Sequence, residues 1–217
     1  MVDNITLGDT IIEWLGHDTF LINFKGKKIV IDPFRISKPF KADYILITHS
    51  HYDHCSLEDI SKLVGPNTKI ICPADCMSKI NKIANVNINI IEPNSQLNTE
   101  DFSVETIPAY NVNKEFHKRI NNWLGYVIDL NGIRIYHAGD TDLIPEMKNL
   151  KNITIALLPV GGTYTMNAEE AAEAVRIINP EMAIPMHYGT IVGTIQDAQK
   201  FKNLVGDKAI ILNKKSN

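Results

Sequence analysis

The sequence predicts an α/β chain of layered type, assembled from two related β-rich halves. Three observations predict it. Short segments of alternating or uninterrupted apolar residues are bounded by turn residues, and amphipathic stretches with recognisable caps stand between several of them. One pattern, a hairpin followed by an apolar strand and a ligand-bearing loop, occurs in the first third and again further on.

The elements follow in chain order. DTIIEWLG, TFLINF, a Lys25-Gly26-Lys27 turn and KIVIDP read as a β-meander ending at Pro33. ADYILITH is almost wholly apolar, as a strand buried on both faces must be, and runs to His49. SLEDISKLVG predicts a helix: Ser56 caps it with Asp59 three residues on, Leu57, Ile60, Leu63 and Val64 form its apolar face, and Gly65 ends it. Strand TKIICP, helix DCMSKINKIA, strand NINIIEP and strand FSVETIPAY come next. LGYVIDL, a tight Asn131-Gly132 turn and IRIYHAGD then repeat the earlier hairpin, with Phe20 aligned to Tyr126 and Gly26 to Gly132. ITIALLPVGG is a further apolar strand. A helix over 168–178, opened by Asn167 and Glu170 and stopped by Asn179-Pro180, leads to strand EMAIPMHYG and a last helix, DAQKFKNLVG. No low-complexity linker or charge block divides the chain, so residues 1–217 are expected to form one domain.

Composition narrows the function classes. The 217 residues are 44% hydrophobic with a formal net charge of -3, and the pI is about 6.2. Such a chain buries a sizeable core and carries no global basic field to recruit nucleic acid. The stretch from Lys114 to Arg119 is the one candidate for a local basic patch. Asp3, Asp9 and Glu13 stand where a secretory signal would be basic and then apolar, and no segment reaches the roughly 18 apolar residues that span a bilayer. Three cysteines, Cys55, Cys72 and Cys76, make no disulfide framework, and the C-x3-C pair reads as small buried residues. A cytoplasmic location without a membrane partner is expected.

Residues 48–55, THSHYDHC, hold three of the seven histidines, His49, His51 and His54, with Asp53 between the last two. Neutral imidazole is the commonest metal ligand, and Asp adds a hard oxygen donor. If extended geometry persists past the strand, His49, His51 and Asp53 share a face and His54 turns away. Four donors on so short a segment serve two neighbouring ions more easily than one, and a dinuclear site needs further histidine and a bridging carboxylate. Asp140, beside Gly139 at the end of IRIYHAGD, and His187, at the end of AIPMH, supply them at other strand ends.

These motifs, with Asp32 in VIDP, occur in the order found in the metallo-β-lactamase superfamily, and the chain resembles it over nearly its whole length. WLGHDTFLI, IDPF, IYHAGDTD, LLPVGGTYTM and IPMHYGT resemble its stand-alone metal-dependent hydrolases related to L-ascorbate phosphate lactonase. The resemblance implies a four-layer αββα sandwich. It implies that His49 and His51 bind a first metal, that Asp53, His54 and His187 bind a second, that Asp140 bridges, and that Asp32 anchors the metal loop. The sequence departs from the superfamily in PAYN, where Asn111 occupies the usual place of a third histidine for the first metal. His117, six residues on, is the expected replacement. His17 resembles a position near the site that supports the metals or touches substrate; Tyr164 and Tyr188 stand beside the site loops as candidate substrate contacts; His137 is expected to be structural.

The expected reaction is hydrolysis of a small-molecule lactone or phosphodiester by a metal-bound hydroxide, with Asp53 orienting that nucleophile. Two divalent ions are implied, zinc by the nitrogen-rich donor set, although Mn, Fe or Ni are compatible with it. A nuclease or RNA-processing phosphodiesterase of the same superfamily is the alternative, disfavoured by the mild acidity and by the absence of length for a large inserted domain. A di-iron redox protein would need an extra carboxylate near HxHxDH and a flavin-bearing partner domain. A mononuclear metal-binding protein with a degenerate first site is a further alternative that Asn111 keeps open. Homo-oligomerisation is expected from compactness alone.

Overall fold

The computed structural model describes residues 1–84 and 86–215. It contains two compact units, each organised around one sheet. The first unit spans Val2–Glu92 and takes in the C-terminal segment from Leu212. Its seven strands are β1 (Ile5–Leu7), β2 (Thr10–Gly16), β3 (Thr19–Phe24), β4 (Lys27–Ile31), β5 (Tyr44–Leu46), β6 (Lys69–Cys72) and β7 (Asn87–Ile90), in sequential order across the sheet. β1 to β4 form the expected antiparallel meander, extended by β1, and β5, β6 and β7 add in parallel. The C-terminal segment returns to this unit: the Asn213 N–H donates to the Val2 carbonyl and the Lys215 N–H to that of Trp14, both at 2.8 Å.

The second unit, Pro93–Ile211, holds β8 (Gln96–Asn98), β9 (Ser103–Pro108), β10 (Leu124–Leu130), β11 (Ile133–His137), β12 (Ile155–Pro159) and β13 (Met182–Met186), ordered β13-β12-β11-β10-β9-β8. β8 to β11 are antiparallel and β12 and β13 parallel. Steps β2 to β6 and β9 to β13 thus share one pattern: two antiparallel pairings, then two parallel ones. The alignment of Phe20 with Tyr126 has a structural basis, since each lies near the start of its hairpin strand, opposite Ile31 and His137 respectively, at the end of the partner strand.

Local chemistry explains most boundaries. Asn131 and Gly132 both have positive φ, 55° and 90°, as the tight turn between β10 and β11 requires. The helix α1 (Leu57–Leu63) is capped by Ser56, whose side chain accepts from the Asp59 N–H. It ends not at Gly65 but at Val64, which turns extended, and the Gly65 N–H is taken by the Thr68 hydroxyl at 2.8 Å. The long helix expected from DCMSKINKIA is a 3-10 turn followed by one α turn, α2 (Met77–Ile80). There Lys82 and Ile83 bond three residues back rather than four, in a stretch containing Asn81, a weak helix former. The helix α3 (Ala168–Ile178) has the expected boundaries, with a reciprocal capping box between Asn167 and Glu170 and a left-handed Asn179 as terminator. The helix α4 (Ile195–Val205) starts two residues before the expected DAQKFKNLVG, because Thr194 and Asp197 form its cap.

In the first unit Leu21, Val30, Ile45 and Ile70 from the sheet pack with Ile60 and Leu63 of α1 and Ile80 of α2. All three cysteines lie unbridged in this core, as ordinary buried residues. Alternate residues Ile29, Ile31, Tyr44 and Leu46 are equally buried, which is why the central strands read as unbroken apolar runs. In each unit the donor residues follow the C-terminal ends of strands: Asp32 after β4 and His49 beyond β5, Asp140 beyond β11 and His187 after β13.

Candidate metal centre

β5 stops at Leu46, three residues short of the expected end, because its continuation is captured by a side chain from β4's end. Asp32 accepts the Thr48 N–H at Oδ1 (2.7 Å) and the Thr48 hydroxyl at Oδ2 (2.6 Å), and the same Oδ2 lies 2.8 Å from His54 Nδ1. The Thr48 oxygen, its proton committed to Asp32, is an acceptor for His49 Nδ1 at 2.9 Å. Asp32 therefore sets two ring tautomers, His54 directly and His49 through Thr48. Both rings then carry hydrogen on Nδ1 and keep the lone pair on Nε2.

The chain then turns sharply: the Cys55 N–H donates to the His51 carbonyl at 2.8 Å, and His54 to the same carbonyl at 3.2 Å. Extended geometry does not persist, so His49, His51 and Asp53 do not share a face with His54 turned away. Instead His49 Nε2 and His51 Nδ1 approach to 3.1 Å, while Asp53 Oδ2 lies 3.7 Å from His54 Nε2 and 3.1 Å from His17 Nε2. The segment thus divides into a His49–His51 pair and an Asp53–His54 pair. His17 sits at the hairpin between β2 and β3, fully buried, and holds Asp53. Asp18 beside it is also buried, with Oδ2 3.9 Å from His54 Nδ1; nothing in the local sequence HDTF distinguishes it from a turn-forming Asp.

The second unit contributes its own set. Asp140 Oδ2 lies 3.1 Å from His117 Nε2 and 3.2 Å from His187 Nε2, and all three residues are buried. Asp140 follows Gly139, whose φ is 62° and whose N–H bonds His137 Nδ1 at 3.2 Å, so His137 shapes this loop, as expected of a structural residue. His187 adopts φ 59°, as His17 and Asp32 adopt 52° and 44°; left-handed backbone at non-glycine residues is uncommon and gathers at functional sites. The loop through Asn111 and His117 closes on itself: the Asn111 N–H donates to the His117 carbonyl at 2.7 Å, and the His117 N–H to Asn111 Oδ1 at 2.9 Å. Asp142 ties this loop down through the Val112 N–H (2.8 Å) and the Lys114 ammonium.

In the stretch from Lys114 to Arg119, the candidate for a local basic patch, each cation has an acidic partner. Lys114 pairs with Asp142, Lys118 with Glu115 and Arg119 with Glu146. Tyr188 is 3% exposed, and burial pushes its phenol up to about 12, so it stays protonated at neutral pH. Tyr164 packs edge-on against Phe116, ring centroids 4.7 Å apart.

Imidazole nitrogens and carboxylate oxygens are the donors of a Zn²⁺ site, and ligand atoms on one tetrahedral ion lie about 3.4 Å apart for bonds of about 2.0–2.1 Å. The 3.1 Å separation in the first unit and those of 3.1 Å and 3.2 Å in the second lie close to that spacing. Residues 11–187 match the family described as Beta-lactamase superfamily domain. The chain belongs to the metallo-β-lactamase superfamily. It is 37% identical over 215 residues to a UPF0173 metal-dependent hydrolase of Thermococcus onnurineus, covering 93% of this chain and 94% of that protein. A relative of the same name in Thermoplasma acidophilum is 37% identical over 206 residues, 90% of each chain. Among solved structures, one of a Parabacteroides distasonis protein assigned as a metal-dependent hydrolase superposes with a TM-score of 0.85 at 30% identity, covering 98% of this chain and 99% of that one. A metallo hydrolase of Ignicoccus hospitalis gives 0.78 at 26% identity, over 94% and 95%. The mixed α/β architecture with two sheets is that of the superfamily, and the chain is a metal-dependent hydrolase within it.

Proposed function

We propose that the enzyme uses a dinuclear centre, probed best as zinc, and hydrolyses a small-molecule lactone or phosphodiester. The observation that carries this reading is the position of one carboxylate oxygen, Asp140 Oδ2, at nearly equal distance from His117 Nε2 and His187 Nε2. A carboxylate and two imidazole nitrogens converge in this way on cations, and an oxygen between two histidines is placed to bridge two ions. In this reading His49, His51 and His117 hold the first ion, Asp53, His54 and His187 the second, and Asp140 both.

Bound divalent ions supply Lewis acidity and lower the pKa of water toward neutrality. The chain's own residues do the rest. Asp32 keeps Nε2 of His49 and His54 unprotonated, through the hydrogen bonds at their Nδ1 atoms. Asp53 accepts a proton from, and orients, the attacking water, while His17 Nε2 at 3.1 Å holds that carboxylate in place. Burial of the donor residues strengthens each of these interactions by excluding bulk water.

The test has two arms. Elemental analysis of protein purified without chelator should give close to two metals per chain, and a stoichiometry of one that survives reconstitution would overturn the dinuclear reading. Parallel assays on a lactone panel, bis-aryl phosphodiesters and single-stranded RNA should find turnover with a small molecule; turnover of RNA alone would assign the enzyme to the nucleic-acid branch instead.

A further inference from the structure

We propose that Asn111 is the positioning residue for His117, a role that rests on His117 being a ligand of the first ion. Asn111 stands where the superfamily resemblance implies a histidine, yet its side chain is buried and makes four polar contacts within its own unit. Its Nδ2 donates to Asp142 Oδ1 at 3.1 Å and to the Tyr164 carbonyl at 2.8 Å, two groups that only accept. These bonds determine which way the amide faces, so Oδ1 is the atom turned to His117. There it accepts the His117 backbone N–H at 2.9 Å and meets ring Nδ1 at 3.2 Å. An acceptor at Nδ1 requires hydrogen on Nδ1, which leaves the lone pair on Nε2, the atom 3.1 Å from Asp140 Oδ2.

The amide thus performs for His117 what Asp32 performs for His54. It also explains how the excursion of residues 112–116 returns a histidine to the site: the loop is closed by two hydrogen bonds between Asn111 and His117, and Asp142 holds the Asn111 amide at the other side. Asp142 is two residues from Asp140, so the ligand histidine and the bridging carboxylate are referenced to one short segment.

The experiment is a Co²⁺ titration of the metal-stripped full chain, read by visible d–d absorption and by the number and affinity of ions bound. Wild type, Asn111→Leu, the reciprocal double variant Asn111→Asp with Asp142→Asn, and His117→Ala are compared, with circular dichroism to verify folding. Leucine removes the acceptor at nearly constant volume and should weaken the first ion 10- to 100-fold, with an altered absorption band. Asn111→Asp combined with Asp142→Asn keeps an acceptor facing His117 and a donor–acceptor pair between positions 111 and 142, and should recover most of that loss, which a merely structural role would not produce. If His117→Ala binds both ions at wild-type affinity, the ligand reading of His117 itself fails. If His117→Ala loses an ion while Asn111→Leu binds both normally, the positioning role alone is wrong; so is it if the reciprocal double variant recovers nothing.

Discussion

Asp32 Oδ2 lies 2.8 Å from His54 Nδ1, and neither side chain is exposed to solvent. The same carboxylate accepts the N–H and the hydroxyl of Thr48, so one acidic side chain satisfies three buried donors. Asp32→Ala strands all three, at about 1–3 kcal/mol for each that stays buried and unsatisfied. Metal affinity should also fall about 10- to 100-fold, because the tautomers of His54 and His49 are no longer set. Thermal denaturation of the metal-stripped chain measures the first effect and chelator competition the second.

Gly161 has no room for a side chain. A Cβ there would come within 2.5 Å of the His187 carbonyl oxygen and 2.9 Å of His187 Nδ1. Backbone is the obstacle, so Gly161→Ala must displace the His187 loop, with an overpacking cost of about 1–3 kcal/mol. The expected result is a lowered metal content and at least a tenfold loss of hydrolytic rate in a chain that still folds. Unchanged metal content, measured by elemental analysis, would contradict it.

The capping box of α3 offers a control remote from the chemistry. Asn167 Oδ1 accepts the Glu170 N–H and Glu170 Oε2 accepts the Asn167 N–H, both at 2.9 Å. Asn167→Ala should cost about 1 kcal/mol, a fall in Tm of about 2–4 °C for a chain of this size. Metal content per folded chain should not change.

Asp59 makes stability depend on pH at the acid end. Burial pushes its carboxyl up, but the Ser56 hydroxyl, the Lys62 ammonium and the backbone N–H groups of Arg35 and Ile36 outweigh this and hold it below the usual carboxylate range. A carboxyl lower in the folded state than in the unfolded one contributes stability that is complete above the unfolded value of about 4. That contribution is lost as the pH falls through the folded value. Urea unfolding between pH 2.5 and 7, as an order-of-magnitude range around that value, should show a shallower acid limb in Asp59→Asn than in wild type. Equal slopes would remove Asp59 as the cause.

Much of the fold was legible because its signals are local. The Asn131-Gly132 turn, the caps of α1 and α3 and the apolar runs of β3, β10 and β12 depend on neighbouring residues, and they appear where the periodicity places them. The misses share a cause as well. DCMSKINKIA has helical spacing but yields one α turn, and ADYILITH has strand character to its end but loses its last residues to Asp32, sixteen positions away from Thr48. Within the site, Asp18, Thr48, Asp142 and Gly161 went unseen: each acts on a residue distant in the chain, and no spacing rule encodes that.

By itself the sequence determined the fold class, the donor-rich THSHYDHC segment, and the presence of Asp140 and His187 at strand ends. These follow from hydrophobic periodicity, turn chemistry and donor composition, all properties of short windows. Tertiary structure alone decided that His51 turns toward His49 while Asp53 turns toward His17, and that Asn111 supports His117. Those choices depend on strand register and loop closure, which bring together side chains two to thirty-six residues apart.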